Sequence, residues 1–187
     1  MTDLPRGAHE SLEWRWKPFP ELTAVEVYDM LEARNVVFVV EQQCIYHDID
    51  GLDKDAWHLF AYSRENDTNA TNASQADEAE HASHAGGAQA LAQAPTLAGY
   101  LRVLLPDASD ADIRIGRVLT TPAFRRIGLG SAMLEQALKH IVAQWPDAAI
   151  KLHAQAHLQM FYGAFGFEPI SDVHDEDGIP HIWMRSV

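Results

Sequence analysis

Arg125-Arg126-Ile127-Gly128-Leu129-Gly130 is the stretch that decides how this chain is read. Before it, Ile113 and Ile115 alternate with Arg114 and Gly116 and lead into Val118-Leu119, so Asp112 to Thr120 is predicted as a strand. After it, Met133, Leu134, Ala137, Leu138, Ile141, Val142 and Trp145 fall on one helical face, and Glu135, Gln136, Lys139 and Gln144 are left for solvent. That pattern predicts a helix of about four turns, ended by Pro146. A strand, a turn at Pro122, two glycines and a helix start make an anion site. The glycines let backbone approach a ligand, free amides point at it, and the helix N-terminus adds partial positive charge. Arg125 and Arg126 add two full charges, so a pyrophosphate or several phosphates are expected. A Walker-type loop is excluded because no Gly-Lys-Ser/Thr follows, and a dinucleotide fingerprint fits poorly because Met133 stands at its third glycine.

Working outward, Ile150, Leu152 and Ala154 alternate with Lys151 and His153 as a strand, and strand, helix, strand implies a crossover with two parallel strands. Upstream, Trp57 to Tyr62 and Leu97 to Leu105 read as strands. Pro106 to Ala111 supplies a turn, which makes an antiparallel group of three with Asp112 to Thr120. Glu13 to Lys17 is a short first strand. Thr23-Ala24-Val25-Glu26 has capping-box spacing and opens a helix through Arg34, with a second turn around Val36 to Glu41. Leu158 to Phe165 is a short helix stopped by Gly166. Phe167 to Ile170 and His181 to Arg185 are final strands, with a turn signal at Asp177-Gly178 between them. The order β, helices, βββ, α, β, α, ββ predicts an α+β fold around one mixed sheet.

The 187 residues, 47% hydrophobic, supply one sizeable core, so residues 1–187 are read as a single domain. A polar segment at about 65–95 has no sustained apolar period and reads as a flexible insertion. Its sequons at Asn66, Asn69 and Asn72 lack an accompanying export signal, and His81 and His84 lack further ligands, so neither glycosylation nor a metal is expected. No signal-type or membrane-length apolar run occurs, and a cytoplasmic location is expected. A net charge of −13 opposes nucleic-acid and anionic-membrane binding, so an anionic ligand needs a local basic site, and arginine is concentrated at Arg114, Arg117, Arg125 and Arg126. Cys44, the one cysteine, reads as a small buried apolar residue.

The Arg125 to Gly130 loop, taken with Phe161-Tyr162-Gly163-Ala164-Phe165-Gly166-Phe167, closely resembles the GNAT acyltransferases, in which an Arg/Gln-x-x-Gly-x-Gly loop cradles the coenzyme A pyrophosphate. Val39-Val40-Glu41-Gln42, Asp48-x-Asp50-Gly51-x-Asp53, His58, Ile115-Gly116-Arg117-Val118, His153-Ala154-Gln155 and Gly178-Ile179-Pro180-His181 narrow the resemblance to the ElaA-type branch. It spans nearly the whole chain except the first ten residues and the insertion.

This resemblance implies a mixed, mostly antiparallel sheet with flanking helices and a splayed parallel pair. Pantetheine would lie against Val118, Leu119 and Thr120, opposite the strand Ile150 to Gln155. It implies acetyl-CoA as cosubstrate and an amine as acceptor. Arg125, Arg126, Ile127, Gly128, Leu129, Gly130 and Ser131 would hold the pyrophosphate, and Gln155, where many relatives carry Asn, would touch the pantetheine arm. Amides near Leu119 are candidates for the oxyanion. Tyr162 matches the tyrosine that protonates the departing sulfur, with packing on the core as its other reading. For the base, Glu41 and His58 lead and His181 is third. Glu41 paired with Arg34, and His58 as a satisfied core histidine, are the structural alternatives. Asp48, Asp50, Asp53 and Asp55 alternate like a calcium loop but lack its downstream Glu. They read instead as a turn that favours a cationic amine. A non-catalytic acyl-CoA sensor and an interaction module built on the acidic insertion are the competing functions. A homodimer stays open.

Overall fold

A computed structural model describes residues 12–63 and 95–186. The sequons, His81 and His84 lie outside the described residues. Within them the strands are β1 (Leu12–Pro18), β2 (Ala56–Ser63), β3 (Leu97–Leu104), β4 (Ile113–Thr120), β5 (Ile150–Gln155), β6 (Glu168–Pro169), β7 (His174–Glu176) and β8 (Ile179–Ser186). They form one sheet in the order β1-β2-β3-β4-β5-β8-β6, with β7 also on β8. Among the described strands only β4 and β5 pair parallel, and every other pair is antiparallel. The α+β architecture and the mixed sheet are as expected.

Three helices flank the sheet: α1 (Ala24–Arg34), α2 (Leu129–Gln144) and α3 (Gln159–Gly163). The capping box of α1 is formed, with the Thr23 side chain accepting from the Glu26 amide and the Glu26 carboxylate accepting from the Thr23 amide. Glu26 is buried and also holds Arg15 and Lys17 of β1, so one carboxylate ties the helix start to the sheet edge. Lys17, Arg15 and the Thr23 amide together overcome the cost of burial and hold its pKa down at about 2. Residues Asn35–Glu41 continue α1 as a widened π-helical turn, in which the Gln42 amide reaches back to the Val37 carbonyl.

The core lies on both faces. Leu129, Met133, Leu134, Ala137 and Ile141 of α2 pack on Leu59, Leu101, Val103 and Ile113. Met30, Ala33 and Val37 pack on Phe60, Tyr62, Tyr100 and Leu119 from the other side. A Cβ on Gly99 would collide with the Met133 sulfur, so this glycine sets how closely α2 lies over β3. Val142, expected on the apolar face of α2, is instead exposed, because it sits at the margin of the stripe near the helix end.

Two departures in the sheet shape the site. Register between β3 and β4 shifts between Tyr100↔Leu119 and Arg102↔Gly116, a bulge at which Arg117 takes a left-handed φ of 52°. Pairing of β4 with β5 runs only through Ile113↔Ile150, Arg114↔Lys151 and Ile115↔Leu152, so both strands continue unpaired with each other beyond that point. This is the splay. The second departure is β7, which sequence patterning left inside a loop. It forms a hairpin with β8 across Asp177-Gly178, both at positive φ. No described helix is long and apolar enough to cross a membrane.

Candidate active site

A cavity of about 350 Å³ opens where β4 and β5 part. Gly116, Arg117 and Val118 line one wall, and His153, Ala154 and Gln155 the other. Tyr162 of α3 adjoins them, and Gln42, Cys44 and Tyr46 come from the segment after the π-helical turn. Gln155 lies 3.4 Å from the Gln42 side chain, a weak bridge over the gap.

Backbone direction along β4 decides which groups face this gap. The Thr121 amide donates to the Ala98 carbonyl at 2.9 Å, which makes Thr121 and Ala98 a hydrogen-bonded pair. By antiparallel alternation Tyr100 and Leu119 are bonded too, while Gly99 and Thr120 are not. Leu119 therefore turns its amide to β3, and its buried side chain joins the α1-side core. Of the amides near Leu119, those of its neighbours stay as oxyanion candidates: the Thr120 backbone faces away from β3, and Val118 lines the cavity.

Beyond the far end of β4, Arg126 and Gly128 both adopt left-handed φ, 64° and 76°, in the turn that leads into α2. No side chain caps the start of α2, and its first amides are left for a ligand. Arg126 is exposed and has no ion pair among the described residues. Arg125 donates from Nε to the Thr120 carbonyl at 3.2 Å and grips Glu41 with both terminal nitrogens, one of them 2.7 Å from Oε2. Of the four arginines read as a basic concentration, Arg114 is spent on Asp107, and Arg117 on Asp48 and Asp50. Arg125 is held by Glu41, so of the four only Arg126 has no ion pair among the described residues.

Tyr162 is 6% exposed, and its ring meets Phe161 and Phe167 edge-on. Its hydroxyl makes no hydrogen bond among the described residues. Burial pushes its pKa up to about 12, which keeps it a proton donor at neutral pH.

The two leading base candidates sit elsewhere. Glu41 is exposed and pairs with Arg125, not Arg34, and that guanidinium holds its carboxyl below the ordinary range. His58 is fully buried. Its Nδ1 accepts from the Tyr100 hydroxyl at 2.8 Å, and its Nε2 donates to the Asp53 carbonyl at 3.0 Å. Burial drives its pKa down to about 4, so it is a neutral core residue without access to the cavity.

The aspartate run is corrected as well. Arg34, fully buried, binds Asp48 at 2.8 Å and Asp53 at 2.7 Å. Arg102 binds Asp50 at 2.7 Å and Asp53 at 2.8 Å, and Arg117 binds Asp48 at 2.8 Å and Asp50 at 3.2 Å. Three arginines from three elements thus neutralise three aspartates, and the run is a clasp that seats residues 42–55 on the sheet. Asp48, Asp50 and Asp53 are thus not free for an amine, while Asp55, the fourth acid of the run, is exposed beside the clasp.

His181 lines the cavity, and with it stand His153 and Glu176, which the sequence reading left without a role. Their signal was present in the alternation His174-x-Glu176 before Asp177-Gly178 and His181-x-Trp183 after it. His153, His174 and Glu176 bring ligand-type atoms within 4.8 Å of one another. The two Nε2 atoms are 2.8 Å apart. Two ligands of a tetrahedral ion at ~2.0–2.1 Å would stand roughly 3.3 Å apart. The contact is therefore an N–H···N hydrogen bond, and we assign no ion there.

Comparison with known proteins agrees with this geometry. The family described as "Acetyltransferase (GNAT) domain" matches residues 35–187. Protein ElaA of Escherichia coli strain K12 is 34% identical over 175 residues, 92% of this chain and 95% of ElaA. The crystal structure of an acyl-CoA N-acyltransferase from Pseudomonas aeruginosa superposes with a TM-score of 0.75 at 37% identity, covering 95% of this chain and all of that one. The crystal structure of Escherichia coli ElaA gives 0.73 at 34% identity, covering 94% and 99%. The chain belongs to the GNAT acetyltransferase family, with ElaA among its relatives.

Proposed function

We propose that this chain transfers an acetyl group from acetyl-CoA to an amine by direct attack on the thioester. The observation that carries the reading is the gap beyond Ile115 and Leu152, where Val118 on β4, Gln155 on β5 and Tyr162 border one cavity and β4 leads on to the uncapped start of α2. The pyrophosphate would rest on the amides of Ile127 to Ser131 with Arg126 beside them, and the pantetheine would follow Thr120 toward Gln155. The thioester carbonyl would then lie between the strands, where backbone amides of Val118 and Thr120 are the candidates to stabilise its oxyanion. As the C–S bond breaks, the Tyr162 hydroxyl donates its proton to the sulfur. Burial keeps the phenol protonated at neutral pH, so the proton is in place when the C–S bond breaks.

Calorimetry with coenzyme A, and turnover of acetyl-CoA across a panel of amines, test this. Binding with turnover on at least one amine is expected. Tight binding with no turnover on any amine would make the chain an acyl-CoA sensor. Tyr162→Phe should lower kcat by at least ~100-fold, the low end of general-acid contributions, with coenzyme A affinity within about twofold. An unchanged kcat would return Tyr162 to a packing role.

A further inference from the structure

The β5, β8 and β7 strands set five polar side chains on one face. His153 lies opposite Trp183, Gln155 opposite His181, His174 opposite His181 and Glu176 opposite Ile179. Two backbone carbonyls fix the protons of this cluster. A carbonyl oxygen only accepts, so the ring nitrogen facing it carries hydrogen. His174 Nδ1 faces the Asp172 carbonyl at 3.1 Å, and His181 Nδ1 faces the Ile179 carbonyl at 2.8 Å. In the neutral rings both lone pairs are then on Nε2. His174 Nε2 is 2.8 Å from His153 Nε2, so His153 must donate there and keeps its own lone pair on Nδ1. That Nδ1 is 3.9 Å from Glu176 Oε2.

His153, His181 and Glu176 therefore line one end of the cavity with three acceptors and no donor. We propose that this acceptor-only cluster seats the ammonium group of a primary alkylamine, that His153 Nδ1 is the base that takes its proton, and that His174 holds His153 in the competent tautomer. The assignment deepens the acetyl-transfer reading and rests on it for the fate of the amine. An –NH₃⁺ group brings three N–H donors for three acceptors and one charge for the Glu176 carboxylate. In the step, one N–H bond of the ammonium breaks, its proton bonds to His153 Nδ1, and the electron pair stays on the amine nitrogen for attack on the thioester. The resulting imidazolium still donates to His174 from Nε2 and now faces Glu176 with Nδ1–H.

The surroundings keep His153 neutral before the amine arrives. Burial lowers its pKa, Glu176 opposes that shift, and His181 and His174 reinforce it. The charged and titratable groups around it are His181 on β8, His174 and Glu176 on β7, and Asp177 in the turn. Lys151, on its own strand, lies over the Trp183 ring at 5.1 Å, and that ring stacks on His153 at 4.3 Å. Lys151 is paired with Asp110 at 2.7 Å.

Imidazole ¹⁵N spectra of the full chain at neutral pH read the tautomers directly. His174 and His181 should be Nδ1–H and His153 Nε2–H, and His174→Ala should turn His153 into a tautomer mixture. Ethylammonium chloride should shift the His153 and His181 signals saturably. Tetramethylammonium, a cation without N–H donors, should not, and Glu176→Gln should weaken the ethylammonium response at least fivefold. Finding His153 protonated on Nδ1, or equal responses to the two cations, would overturn the assignment. In turnover, His153→Gln should lower kcat/KM for every accepted amine by ~100-fold or more and flatten its acid limb, with coenzyme A affinity kept. A folded His153→Gln variant with wild-type kcat/KM would also overturn it. If the ammonium seat holds and no amine is acetylated, the acetyl-transfer reading fails and the seat stands.

Discussion

Replacing His58 with Gln separates a core histidine from a catalytic one. The ring is fully buried, and both nitrogens are satisfied in the neutral form. Burial, reinforced by Arg102 and Arg34, lowers its pKa from 6.5 to about 4. Below pH 6.5 the unfolded chain takes up a proton that the folded chain refuses until about pH 4. The stability is thus complete above pH 6.5 and is lost as pH falls through that window. At ~1.4 kcal/mol for each tenfold change in proton affinity, the gap is worth about 3 kcal/mol. Glutamine keeps a donor for the Asp53 carbonyl and an acceptor for the Tyr100 hydroxyl but does not titrate. Urea unfolding from pH 7.5 to 4.5 should therefore show the wild type losing up to about 3 kcal/mol more than His58→Gln. The paired carboxylates of Glu26 and Asp50, held near 2, lose their contribution mostly below this range. Parallel pH curves would refute the argument. So would a ~100-fold loss of turnover in a folded variant at pH 8, which would restore His58 as a base.

Arg34→Met leaves Asp48 and Asp53 short of a buried partner, and removal of one member of such a pair costs about 3–5 kcal/mol. Thermal unfolding should fall by roughly 6–20 °C for a chain of this size. Arg126→Ala should raise the Kd for coenzyme A about tenfold in calorimetry at low salt, and the penalty should shrink as salt screens an exposed charge. Glu41→Gln frees Arg125 for the pyrophosphate, so coenzyme A should bind roughly twofold to fivefold tighter with turnover kept. A large loss of turnover would make Glu41 the base after all.

The sheet and α2 were legible because their signals are local: alternation in β4 and β5, a long apolar stripe, and proline and glycine at the boundaries. The turn from β4 into α2 was legible because its parts are contiguous in the chain. What sequence spacing did not reveal was where long side chains end. Asp48, Asp50 and Asp53 read as a free acidic turn because their partners Arg34, Arg102 and Arg117 lie up to 69 residues away. His58 and His153 each sit in a strand flanked by apolar residues, yet one meets a buried tyrosine and the other a cavity. Both point away from the α2-side core, and the difference is lateral: β2 runs in the core beneath α1, whereas β5 borders the gap left by β4. β7 went unread because three residues give too short a period, and with it went the contact between His153 and His174.

With the clasp closed, the charge around the cavity is unevenly divided. Asp48, Asp50 and Asp53 are cancelled by Arg34, Arg102 and Arg117, so the middle of the cavity wall contributes little net field. Of the acids that line the cavity, Glu176 and Asp177 remain, at the end built by β7 and β8, and under the proposed acetyl transfer they would draw a cationic acceptor there. Arg117 links the two arrangements: its left-handed backbone makes the bulge at which β4 leaves β5, and its guanidinium locks the clasp over that bulge. The strained residue is held in place by the ion pairs it makes, so the parting of the strands and the neutral wall beside them depend on one side chain.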